Sequence, residues 1–98
     1  MKQPMRQNQI SLELPDDVYE GVYSNLIIIM TSPAEFVLDF ARIVPGKPKA
    51  KIKNRVIIPP QAAKQLVRML TERIKDYEEK FGEIKFEEQN KNIIGFQN

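Results

Sequence analysis

The chain has 98 residues, with 15 Lys and Arg against 13 Asp and Glu for a net charge of +2, and 42% of it is hydrophobic. That describes one domain close to electrical balance, so bulk charge singles out neither an acidic nor a basic partner. Cysteine and histidine are both absent, which excludes disulfides, thiolate metal sites, the commonest general base and the neutral-pH switch.

Residues 1–8 are polar, contain a proline and show no period, and they read as a flexible arm. From Gln9 onward Ile10, Leu12 and Leu14 alternate with Ser11 and Glu13, the pattern of a half-buried first strand. Pro15-Asp16-Asp17 closes it as a turn. A second strand is expected over Val22 to Thr31, with Leu26, Ile28 and Met30 on one face and Ile27 and Ile29 on the other. Apolar residues on both faces require cover on both. After Ser32-Pro33, a third strand from Glu35 to Val44 sets Phe36, Leu38 and Phe40 against Val37, Asp39, Ala41 and Ile43. Pro45-Gly46-Lys47-Pro48 is a strong turn signal, and a fourth strand follows from Ala50 to Ile58.

Pro59-Pro60 breaks the sheet pattern. Ala63, Leu66, Val67, Leu70, Ile74, Tyr77 and Phe81 then recur at the spacing of one helical face, up to a C-cap glycine at Gly82. The expected fold is α+β: a four-stranded antiparallel meander followed by one long C-terminal helix packed on one face. Residues 9–82 make the domain and residues 83–98 a polar, flexible tail. The N-terminal MKQPMRQNQ lacks the apolar core of a signal peptide, and the run Leu26 to Met30 is too short to span a bilayer. A cytoplasmic protein with no membrane partner is expected.

Face matching places Phe36, Leu38 and Phe40 opposite Ile58, Val56 and Asn54, which sets Asp39 across from Arg55 and Ala41 across from Lys53. Asp39 and Arg55 are therefore expected to form a structural ion pair. With the helix on the first face, the second face shows Ile27, Ile29, Val37, Ile43 and Ile57, and a clustered aliphatic surface of this kind marks an interface. Either a second copy or the chain's own ends could cover it, and a homodimer is the favoured reading.

Lys47, Lys49, Lys51, Lys53 and Arg55 alternate along the fourth strand and its approach. Such a ribbon can track phosphates, although lysines on a strand also serve as a solvated face or guard an edge. Enzyme chemistry finds little support. Ser24, Thr31, Ser32 and Thr71 have no histidine to activate them, and the glutamates at 78, 79, 83, 87 and 88 lack metal-loop spacing. No catalytic residue, cofactor or metal is expected. The reading is a non-catalytic, homodimeric interaction module, with nucleic-acid binding through Lys49 to Arg55 as the alternative.

Several short motifs add a resemblance: Tyr23-Ser24-Asn25, Ser32-Pro33 with Glu35-Phe36, Leu38-Asp39-Phe40, Pro45-Gly46, Arg55-Val56, the helix start Pro60-Gln61-Ala62-Ala63-Lys64, and Tyr77-Glu78 with Phe81-Gly82. Over about residues 19–85 the chain resembles the bacterial family known as domain of unknown function 3467. That family often carries histidine where this chain has Ala62, and it has no established catalytic residues to transfer. The resemblance implies a protein partner in the transcription machinery.

Overall fold

Residues 10–86 are described by the computed structural model of the chain. Three strands, β1 (Leu26–Thr31), β2 (Phe36–Arg42) and β3 (Lys51–Ile58), form an antiparallel meander in that order. A four-residue helix α1 (Asp16–Tyr19) precedes the sheet, and the 22-residue α2 (Pro60–Phe81) follows it. The class is α+β, with three strands where the alternation predicts four. Residues 10–14 form no strand, and Leu12 is 94% exposed. Alternation makes a strand only where a neighbouring ladder accepts its hydrogen bonds. This segment leads instead into α1, whose first turn holds Asp16 and Asp17 at the positive end of the helix dipole.

Each turn is built by identifiable groups. The Ser32 Oγ accepts from the backbone N–H of Ala34 and of Glu35, both at 3.3 Å, and closes the β1–β2 hairpin. After β2, Lys47 N–H donates to Val44 O at 3.0 Å across Pro45 and Gly46, and Gly46 takes φ 87°. A proline followed by a residue of positive φ is the type II turn, and glycine takes that second position at no steric cost.

The second strand begins at Leu26 rather than Val22 because Ser24 and Asn25 engage the backbone with their side chains. Asn25 Oδ1 accepts from Ile43 N–H at 2.7 Å while its Nδ2 donates to Ile43 O at 3.1 Å. Ser24 Oγ donates to Ala41 O at 2.8 Å. Together they clamp the C-terminal end of β2 as a strand partner would.

The helix does not lie on the sheet. Only Pro60, Ala62, Ala63 and Leu66, with Glu78 further on, are half-buried along it, and Val67, Leu70, Ile74, Tyr77 and Phe81 are all exposed. The reason is local. One residue, Pro59, separates β3 from α2, and its φ of −74° and ψ of 162° keep the link extended. Connections that reverse direction between such elements need about 2–6 residues, so α2 has no slack in which to turn back. The Cα radius of gyration is accordingly 17.0 Å, where a compact chain of about 100 residues takes about 13 Å. Leu38 and Ala41 are the buried apolar residues among those described.

Candidate functional site

The β2–β3 register pairs Phe36 with Ile58, Leu38 with Val56 and Asp39 with Arg55. Arg55 grips Asp39 with two parallel bonds, Nε to Oδ1 at 2.7 Å and Nη2 to Oδ2 at 2.8 Å. Asp39 is 2% exposed, whereas over half of the Arg55 side chain meets solvent. In a single-layer sheet this shielding comes from adjacent side chains rather than depth of protein. The paired hydrogen bonds from Arg55 lower the Asp39 carboxyl below its ordinary value, against an opposing desolvation, and Coulomb attraction adds to the lowering. The pair locks two strands in register and leaves neither group free for chemistry.

Beyond Asp39 the register shifts, so that Ala41 faces Ile52 rather than Lys53. A bulge of this kind inserts one residue into a strand and re-aims its neighbours. Nothing in the sequence pattern signals it, because Ile52 and Lys53 fit either register equally well.

The five aliphatic residues expected on one face are divided between two. Opposed residues of an antiparallel pair share a face. Ile27 opposes Phe40 and Ile29 opposes Leu38, which puts them on the Phe36–Phe40 face. Val37 and Ile57 lie on the other face, with Leu26, Ile28 and Met30. Ile43 lies just past the end of β2, held by Asn25. Ile27, Ile29 and Ile57 are each more than half exposed.

The two sheet edges differ in chemistry. The outer edge of β3 carries Lys51, Lys53 and Arg55; that of β1, LIIIMT, carries no charge at all. Charged residues block edge pairing, and an uncharged aliphatic edge invites it.

The basic residues fall into two groups. Lys47, Lys49, Lys51 and Lys53 line one open cleft of about 580 Å³, together with Arg42 from β2 and a floor of Val44, Pro48 and Ala50. Arg55, expected with the lysines, belongs to the Asp39 pair instead. Arg42 is the contributor that sequence spacing does not reveal, since it arrives from the neighbouring strand. Its guanidinium lies over the Tyr23 ring, 5.2 Å from the centroid. A second, smaller groove of about 400 Å³, beside α1 and the Phe36–Phe40 face, is lined in part by Val18, Val22, Phe40 and Val56.

No group of three metal-ligating side chains occurs among the described residues, and no helix among them is long and apolar enough to cross a membrane. The class these features delimit is an α+β protein with a three-stranded antiparallel sheet among the described residues. The family model for DUF3467, described as "Protein of unknown function", matches residues 1–86, and the chain belongs to that family. No curated protein and no solved structure matches it. The motifs that carry the resemblance have structural duties here. Ser24 and Asn25 clamp β2, Ser32 and Pro45-Gly46 make the turns, and Asp39 with Arg55 fixes the register. Tyr77 and Phe81 form a tilted ring pair, centroids 4.9 Å apart, in the last turn of α2 before Gly82, whose N–H donates to Glu78 O.

Proposed function

We propose that this protein is a non-catalytic interaction module that works as a homodimer, the second copy covering the apolar surface that the described residues leave exposed. The observation that carries this is that, among the described residues, only Leu38 and Ala41 are buried and apolar, beside an exposed apolar helix stripe and exposed aliphatics on both sheet faces. A chain this short buries only about 60–65% of its unfolded surface even when well packed, so so small a core leaves folding without its main driving force. A second copy fits because the β1 edge can pair antiparallel with itself about a twofold axis, giving one six-stranded sheet. Each α2 stripe then lies against a sheet face of the partner, which gives the helix the packing that its short link to β3 denies it within one chain.

Ile29→Lys tests this directly by placing a charge on the β1 edge. The wild-type protein is expected to sediment at twice its chain mass of 11.4 kDa, and the variant to lose association and cooperative unfolding together. An Ile29→Lys protein that stays dimeric and stable would refute pairing through β1. A protein partner in the transcription machinery belongs to the same proposal and rests on the family resemblance alone. Capture of RNA polymerase subunits by the tagged dimer from a nuclease-treated lysate would support it, and their absence would remove it.

A further inference from the structure

We infer that the cleft beside the β2–β3 loop binds the phosphodiester backbone of nucleic acid. Five cations from three consecutive segments meet there: Arg42 near the end of β2, Lys47 and Lys49 in the loop, and Lys51 and Lys53 at the start of β3. None is ion-paired among the described residues, where the acidic partners Asp39 and Asp76 are taken by Arg55 and Arg73. Like charges gathered without counter-charges raise the local potential and attract an anion, most strongly one whose charge repeats along its length.

Guarding an edge explains part of this cluster and not the rest. Lys51 and Lys53 lie on an edge strand, but Lys47 and Lys49 precede it and Arg42 is on the central strand. The spread of the cations over three segments suits a long, evenly charged polyanion such as a phosphodiester chain. Four of the five groups here are lysines, point charges that can follow a run of phosphates without demanding one orientation. The cleft floor of Val44, Pro48 and Ala50 offers no hydrogen-bonding side chain and no ring for a base, so the contact is to the backbone and carries little sequence preference. Tyr23, beneath Arg42, is a positioning residue.

Fluorescence anisotropy tests the inference with mixed-sequence oligomers of about 20 nucleotides as single-stranded DNA, duplex DNA and single-stranded RNA, from about 50 to 200 mM salt. Labelled polyglutamate serves as the acidic-peptide arm. At least one nucleic acid is expected to bind with a log–log salt slope of about −3.5 if single-stranded or about −4.5 if duplex, for five phosphate contacts. Which one binds identifies the source of the phosphodiester.

Replacing Lys47, Lys49, Lys51 and Lys53 together by Gln is expected to weaken binding at least about tenfold and flatten the slope by about 3. Lys47→Glu, a single change in the loop, weakens it severalfold and serves if the fourfold variant does not fold. Tyr23→Ala lowers affinity a few-fold and Tyr23→Phe restores it, since both rings hold the guanidinium. Three results would each overturn the inference: no binding of any nucleic acid at the lowest salt, unchanged binding by a folded lysine variant, or polyglutamate bound as tightly as nucleic acid.

Discussion

Asp39 is the one charged residue that the described sheet encloses, and its chemistry fixes how stability responds to acid. Its carboxyl titrates below the ordinary value of 3.8 in the folded state because Arg55 holds the ionised form. A group depressed on folding contributes stability that is fully present above its unfolded value and is lost as pH falls through the folded one. The thermal midpoint is therefore expected to fall below about pH 4. Asp39→Asn should melt lower than the wild type at pH 7, and the gap should close in acid; a gap constant down to pH 2 would assign no stability to the ionised pair. Leu38 supplies a second test. Leu38→Ala should lose about 2–3 kcal/mol in urea denaturation by emptying a buried site, whereas Leu12→Ala, at a 94% exposed position, should stay within about 0.5 kcal/mol.

At the scale of elements, β2, β3, α2 and their turns are legible in the sequence because one period dominates each. Phe36, Leu38 and Phe40 can meet β3 in one register only, since Asn54, Val56 and Ile58 present a single matching face. The strand β1 offers no such choice. Leu26 to Met30 is apolar at every position, so a one-residue slip relative to β2 costs nothing that a pattern can register, and the partition of Ile27 and Ile29 is invisible without the ladder. The cleft was legible for its lysines and not for Arg42, because cross-strand neighbours are set by the register and the bulge. Edge chemistry and the helix stripe then make an expectation at this scale. Ile74→Lys, on the α2 stripe and far from β1, should weaken association as Ile29→Lys does. Gel filtration at matched concentrations reads both, and a wild-type elution volume for Ile74→Lys would remove α2 from the interface.

For the whole molecule, the proposed dimer makes folding and association one process. If the proposed dimer supplies most of the burial beyond the two buried apolar residues among those described, the melting temperature is expected to depend on protomer concentration. The exposed apolar surface itself is legible in the sequence, in the mismatch between apolar residues and the elements able to cover them. The one-residue link at Pro59 is legible too, but not its consequence, an α2 held off its own sheet. The most direct measurement is thermal unfolding across a hundredfold range of protein concentration, with mass by light scattering at each. A mass twice 11.4 kDa is expected wherever the protein is folded, with a melting temperature that climbs steadily with concentration. A folded species of 11.4 kDa whose melting temperature does not move would contradict the proposed dimer.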